Sequence, residues 1–298
     1  MGFLFFSLVG ITMLGMLLLL VIFRIYIIKS AQRGAMDKAW KAAQQGPVHD
    51  NARLPNTYIM YVLGSGGHTG ELCEMIKQQY RPDPRSHRRY VITSGDRHSI
   101  NAVERLEGLL SQAYPSDAST ASQRDSWDIF YVVRARRVHQ PLYTAWFSAL
   151  QSALSVIQAL LSPPKAATGH RLSKGDETIN GHAEPFIHPD LIVTNGPGTG
   201  FIVCLMAFAL KIACVIPTNR CCILFVETWA HVSTLSLTGK LFYYSRIADL
   251  FVVQHEPLAE KTGKRFIGDV TRYGNLLGIR KPFRRELPKS QPEETYVK

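Results

Sequence analysis

Apolar positions along the chain fall into two regimes. Gly2 to Phe23 is an unbroken uncharged run, GFLFFSLVGITMLGMLLLLVIF. From Tyr58 onward the apolar residues come in short blocks separated by stretches of helical period. The blocks are YIMYVL (58–63), RYVITS (89–94), DIFYVV (128–133), DLIVTN (190–195), CCILFVE (221–227), DLFVVQ (249–254) and RFIGDV (265–270). Most are continuous Val, Ile and Phe runs, the pattern of parallel strands covered on both faces. Helices are predicted between them over 69–80, 98–112, 141–161, 198–212 and 238–246. Strand–helix alternation of this kind builds βαβ units. The predicted fold is therefore α/β, a single Rossmann-like, doubly wound parallel sheet behind an N-terminal transmembrane helix.

At about 1.5 Å per residue the first run spans about 33 Å, enough to cross a hydrocarbon core of about 30 Å. It lacks the basic start and the small-residue cleavage site of a signal peptide. Arg24, Lys29, Arg33, Lys38 and Lys41 follow it, opposed only by Asp37. The positive-inside rule then places the rest of the chain in the cytosol. A second apolar run, FIVCLMAFALKIACVI (201–216), is interrupted by Lys211 and reads as a buried helix followed by a strand. These patterns divide the chain into an anchor (1–23), a helix end plus juxtamembrane linker (24–56), an α/β domain (57–278) and a basic tail (279–298). Two stretches break the rhythm and read as surface insertions: 113–125, rich in Ser, Asp and Ala, and 162–188, polar and bearing Pro and Gly.

Net charge is +11, which suits an anionic partner without choosing one. The basic residues crowd behind the anchor, in the tail and at Arg81–Arg89, with no interleaved aromatic platform, so nucleic acid is not the expected partner. The five cysteines show no CxxC spacing, which speaks against a disulfide framework or a zinc site. No Asp-x-Asp occurs, so no metal is expected, and no organic cofactor is required.

Candidate chemistry gathers at two glycine loops. In a parallel sheet, ligands bind beyond the carboxyl ends of the strands. The first expected strand runs into Gly64-Ser65-Gly66-Gly67-His68-Thr69, and the fourth into Gly196-Pro197-Gly198-Thr199-Gly200. Glycine lets the backbone approach a ligand, and free N–H groups at a helix start attract phosphate oxygens. Neither loop is G-x-G-x-x-G or a Walker A sequence. His68 stands where a general base could reach a ligand held by the first loop. Glu227 ends a strand and is a second candidate. Arg97, Arg134, Arg136 and Arg137 follow the second and third strands and could hold phosphate, or form a solvated basic face. In the helix 141–161, the stripe Leu142, Trp146, Leu150, Leu154, Ile157 and Leu161 is expected in the core, with membrane contact as the alternative.

The combination of VLGSGGHTGE (62–71), PDLIVTNGPGTG (189–200), FVETWAHVSTLSLTGKLFYYSRIADLFVVQ (225–254) and the anchor resembles the Alg14 family, the membrane-anchored subunit of the eukaryotic UDP-N-acetylglucosamine transferase of N-glycan assembly. The resemblance implies the N-terminal half of a GT-B glycosyltransferase, similar to that of the bacterial lipid II enzyme MurG. It also implies a soluble Alg13-like catalytic partner that binds UDP-GlcNAc. The expected acceptor is dolichyl-diphosphate-GlcNAc at the cytosolic face of the endoplasmic reticulum membrane. By the same resemblance, Gly64, Ser65, Gly66, Gly67 and Thr69 would contact the acceptor's sugar or diphosphate, and Gly196, Gly198 and Thr199 would complete the acceptor pocket or brace the domain interface. His68 would be the base and Glu227 the runner-up. The strand count fills only one of the two domains that a GT-B enzyme needs, so the chain alone is not expected to be active. Two other readings remain: a membrane-anchored dinucleotide-dependent reductase, with Asp96 facing a ribose, and a scaffold without catalytic residues.

Overall fold

A computed structural model describes residues 2–44, 57–83, 86–114, 126–134, 142–164, 186–196 and 198–268. The insertions at 113–125 and 162–188, the tail and Arg136–Arg137 lie largely or wholly outside these residues. Helix α1 (Gly2–Gln44) comes first, followed by strands β1 (Thr57–Val62), β2 (Ser86–Thr93), β3 (Ser126–Val132), β4 (Leu191–Thr194), β5 (Cys222–Val226), β6 (Leu250–Val253) and β7 (Arg265–Phe266). Between the strands run α2 (Gly67–Gln79), α3 (Arg97–Ala113), α4 (Leu142–Leu161), α5 (Gly198–Ile212), α6 (Leu237–Ser245) and α7 (Glu256–Thr262). All pairings are parallel, in the order β3-β2-β1-β4-β5-β6-β7. The order reverses between β1 and β4, and such a switch point opens a crevice at the carboxyl edge.

Side chains alternate between two cores. Tyr90 and Ile92 of β2 and Leu224 and Val226 of β5 face α2 and α3, where Leu72, Met75, Val103 and Leu106 pack on them. Val91, Ile223 and Phe225 face the other way, toward Val156, Ala159, Val203, Ala207 and Phe242 of α4, α5 and α6. The helices therefore cover both faces, the doubly wound arrangement that the apolar blocks predict. The run at 201–216 forms α5 and the turn after it, inside the second core.

Four local differences from expectation have physical causes. Strand β2 starts three residues before the predicted block, with His87, Arg88 and Arg89 buried. Arg88 forks onto Glu107 (3.0 and 2.8 Å from Nη2) and Arg89 onto Asp128 (2.7 Å from Nη2, 3.0 Å from Nε). A bidentate partner is what lets a guanidinium enter a core. Second, α4 turns the opposite face inward. Leu150, Leu154 and Leu161 are exposed, and Ser152, Val156, Ala159 and Leu160 are buried. Small residues at 152 and 159 let the helix sit close to its neighbours, so the expected core stripe is corrected to an outward one; the side chains of Leu142 and Trp146 lie outside the description. Third, α7 was not expected. It is a short helix of seven residues, with Pro257 in its first turn and Gly263 ending it in a left-handed conformation.

The fourth difference is at the N-terminus. Helix α1 does not stop near Phe23 but continues through Gln44 without a break. Residues 9–34 are long and apolar enough to cross a membrane, and only 6% of the most apolar window is buried. Beyond Phe23 the same helix docks onto the domain. Ile28 is wholly buried in the α5 core, Ile25 packs beside it, and Arg24 Nε donates to the Lys211 carbonyl at 3.2 Å. All five cysteines are free thiols.

Candidate functional site

The two glycine loops meet at the switch point. Gly66 adopts φ 69° and ends the β1–α2 turn, and Gly196 adopts φ 101° just beyond β4. Both are left-handed conformations that glycine accepts without strain. A side chain at 196 would come within 3.8 Å of both His68 Cε1 and Thr238 Cβ, which measures how closely β4, α2 and α6 converge here. A cleft of about 610 Å³ opens beside them, lined by Gly67, His68, Gly70, Glu71, Thr228 and Trp229, among others. Helix α2 starts in this cleft, and no side chain caps it. A Cβ at Gly66, Gly67 or Gly70 would meet nothing within 4 Å. Bare N–H groups at the open end of a 13-residue helix form an anion-binding corner.

The structure sorts the sequence-derived candidates. Gly67 and His68 line the cleft. His68 is half-buried, and its Nδ1 has no hydrogen-bond partner. Ser65 and Gly66 are exposed on the loop itself. Thr69 is turned inward: its hydroxyl bonds to the Gly64 carbonyl and to Ser99 Oγ (2.8 Å), clasping the loop from behind. Gly64 and Gly196 are buried, Gly198 is exposed and Thr199 half-buried at the start of α5, and none of the four lines the cleft. Gly200 is needed for packing, since any Cβ there would overlap the Thr194 side chain.

Glu227 reaches the carboxyl edge but not the cleft. It follows Val226 on the α6 face of the sheet and is fully buried. Oε1 accepts the Thr228 N–H at 3.2 Å, and Oε2, without a hydrogen-bond partner, lies against the α-carbon of Gly239. Burial pushes this carboxyl above its ordinary value, opposed by Ser236 and the Thr228 N–H. Asp96 caps α3 instead of facing the loop. Its oxygens take the Ser99 N–H (3.1 Å) and the Ser99 hydroxyl (2.8 Å), so it is not presented to a ribose. Arg97 and Arg134 are exposed at the ends of β2 and β3.

Glu71, within the first motif but not among the candidates, is the hub of the site. Its carboxylate accepts Asn195 Nδ2 (3.0 Å), Thr228 Oγ1 (3.0 Å), the Trp229 N–H (2.6 Å) and Gln254 Nε2 (2.7 Å). These donors stand just past the ends of β4, β5 and β6, so one side chain of α2 ties three strand ends together. Asn195 Nδ2 also donates to the His68 carbonyl (2.9 Å) and Gln254 Nε2 to the Glu227 carbonyl (2.9 Å). The backbone at His68 is thereby held through the same network. Among the described residues no cluster of metal-ligating side chains occurs.

A family described as "Oligosaccharide biosynthesis protein Alg14 like" matches residues 59–270. The chain is 30% identical over 230 residues to the rat UDP-N-acetylglucosamine transferase subunit ALG14, covering 76% of this chain and 87% of that one. Against the subunit alg14 of Schizosaccharomyces pombe the identity is 32% over 206 residues, covering 68% and 78%. Against human ALG14 it is 31% over 209 residues, covering 69% and 79%. Among solved structures, the chain is similar to Acinetobacter baumannii MurG with a TM-score of 0.37 and 13% identity, covering 67% of this chain and 42% of that one.

Proposed function

The chain belongs to the Alg14 family, and from that premise we propose that it is the membrane-anchored subunit of a two-subunit UDP-GlcNAc transferase in N-linked glycosylation. In this reading α1 crosses the endoplasmic reticulum membrane and leaves the α/β domain on the cytosolic face. The domain is the acceptor half of a GT-B enzyme. A soluble Alg13-like subunit supplies the donor half with bound UDP-GlcNAc. The product is the second GlcNAc on dolichyl-diphosphate-GlcNAc.

The observation that carries the reading is the uncapped start of α2 facing the cleft at the switch point. An acceptor diphosphate would take the N–H groups at Gly67 and His68, where helix dipole and free donors act together. The acceptor hydroxyl then comes within reach of the His68 ring. His68 removes its proton as the hydroxyl oxygen attacks the anomeric carbon, and UDP leaves on the partner subunit. Glu227, enclosed against Gly239 beneath α6 and outside the cleft, does not touch substrate in this reading.

The test is a transfer assay with UDP-GlcNAc and a lipid-diphosphate-GlcNAc acceptor, run with this chain, with the donor-binding subunit, and with both. Activity is expected only in the mixture, and activity of this chain alone overturns the half-enzyme reading. In the assembled complex His68→Ala is expected to lower turnover by about 100-fold or more while complex formation is unchanged. Unchanged turnover would leave the domain as a scaffold.

A further inference from the structure

At the opposite edge of the sheet, a second cavity of about 760 Å³ opens between α1 and the β6–β7 end of the domain. Its lining is strongly cationic: Lys29 and Arg33 come from α1, Arg246 from the end of α6, and Lys264 and Arg265 from the start of β7. Among the described residues, Asp249 is the one acid that lines it. Its Oδ2 accepts the Ile223 N–H at 2.8 Å, and its Oδ1, without a hydrogen-bond partner, faces Lys29 Nζ at 3.9 Å, so Lys29 is the cation that balances it. Lys29 and Lys264 stand over aromatic rings, 5.1 Å from Phe208 and 5.4 Å from Phe251.

Gln32 points to a ligand independently of the charges. It is 4% exposed, it lines the cavity, and neither Nε2 nor Oε1 has a hydrogen-bond partner. An amide buried in that state is costly unless something outside the chain completes its bonds. Its two ends suit one phosphate oxygen and one hydroxyl of the same ligand.

The order of residues along α1 gives the ligand a direction. Ile25 lines the cavity nearest the apolar rod, and Lys29, Gln32 and Arg33 follow. At a rise of about 1.5 Å per residue, Lys29 stands about 9 Å and Arg33 about 15 Å past Phe23. The headgroup layer of one leaflet occupies about 5–7 Å beyond the hydrocarbon. The cavity thus opens inside the headgroup layer at Ile25, about 3 Å past Phe23, and its α1 cations stand just beyond that layer, where a headgroup phosphate projecting from the membrane would meet them.

We propose that this cavity binds the phosphorylated headgroup of an anionic phospholipid in the leaflet from which α1 emerges. Arg33, Arg246 and Lys264 take the phosphate oxygens and Gln32 takes a phosphate oxygen and a headgroup hydroxyl. A bound headgroup would clamp α1 to the β6–β7 edge and fix how the domain sits on the membrane. The inference rests on the reading of α1 as the membrane anchor. That reading is measured separately, as resistance of the chain to alkaline extraction from membranes.

The experiment uses the full chain in neutral detergent, with lipid retention read by native mass spectrometry. The probes are short-chain phosphatidylinositol phosphate, phosphatidylserine, phosphatidylcholine and inorganic phosphate. The phosphoinositide is expected to be retained saturably, ahead of phosphatidylserine, with phosphatidylcholine not retained. Arg246→Asn with Lys264→Ala should weaken it about 25-fold, roughly fivefold per cation lost. Asn tolerates the left-handed backbone at 246, so Arg246→Asn alone keeps the test open if the pair fails to fold. Gln32→Leu should weaken binding while raising the melting temperature of the lipid-free chain, an opposition that a purely structural glutamine would not give. Equal retention of phosphatidylcholine, unchanged binding in the variants, or displacement by inorganic phosphate at the lipid's own concentration overturns the proposal. With alkali resistance intact, any of these results overturns the pocket and leaves the anchor standing.

Discussion

Glu71 offers the sharpest test of how the cleft is built. Replacing it with alanine removes the acceptor for four donors. The Trp229 N–H lies at the exposed rim and the Thr228 hydroxyl can rotate, so water or a neighbour replaces their partner at small cost. Asn195 and Gln254 are different: they are 1% and 2% exposed. Each side-chain NH2 keeps its bond to the His68 or Glu227 carbonyl and loses the one to Glu71. Two half-satisfied buried NH2 groups cost about 1–2 kcal/mol each, or about 3 kcal/mol together. For a domain of this size that corresponds to a fall in melting temperature of roughly 6–12 °C. Glu71→Gln keeps one oxygen for Trp229 and Gln254 but sets an amide against Asn195, so it should lose about half as much. Thermal unfolding of the full chain in detergent, followed by tryptophan emission, gives the ranking directly. Wild type should melt highest, then Glu71→Gln, then Glu71→Ala. An alanine variant melting within about 2 °C of wild type would show that the network is not under load and that the cleft is held by something else.

Other consequences follow from buried groups. Gly239→Ala drives a methyl into the Glu227 carboxyl and should lower stability by about 1–3 kcal/mol, read as a shift in denaturant midpoint. Glu227 itself has a pH signature. Burial raises its carboxyl above the ordinary 4.5, so as pH rises the unfolded chain ionises first while the folded chain keeps the proton, and stability falls until the folded group also titrates. Glu227→Gln should flatten that fall above pH 4.5 and leave the part due to Asp249, which burial raises in the same direction. Arg89→Lys cannot reproduce the fork on Asp128 together with the bonds to the carbonyls of Ala159 (2.9 Å), Ser162 (2.9 Å) and Pro163 (3.0 Å). It should cost about 3–5 kcal/mol, and a loss under about 1 kcal/mol would mean the pair is wet.

The alternation rule that reveals strands also contains the site. In β4, β5 and β6 the inward residues Val193, Val226 and Val252 face α2 and α3. Counting on by two from each gives Asn195, Thr228 and Gln254, three polar side chains on the α2 face just past three strand ends. Glu71 is the acid that helical spacing places opposite them, so the hub was legible once period two was carried past each apolar block. The same count puts Glu227 on the other face, which is why it leaves the cleft. What no local pattern gives is β2: Ser86-His87-Arg88-Arg89 reads as a solvated basic run until Glu107 and Asp128 arrive from α3 and β3. Nor does an apolar stripe identify the buried face of α4, because there close approach through Ser152 and Ala159 decides the packing.

The continuity of α1 changes what the N-terminus can do. A flexible linker over residues 24–56 would let the domain wander roughly 30 Å from its anchor, by the root-length scaling of a disordered chain. The helix leaves no such freedom through its docked turns. Ile25 and Ile28 enter the α5 core, while Arg24 and Lys29 donate to the carbonyls of Lys211 (3.2 Å) and Ile247 (3.4 Å). Both carbonyls lie at the amino edge of the sheet, one at the end of α5 and one just before β6. The apolar rod is therefore set in a fixed direction relative to the strands. A tilt of the rod must be carried into α5 and the sheet, because the docked segment of α1 is part of the core and not a tether beside it.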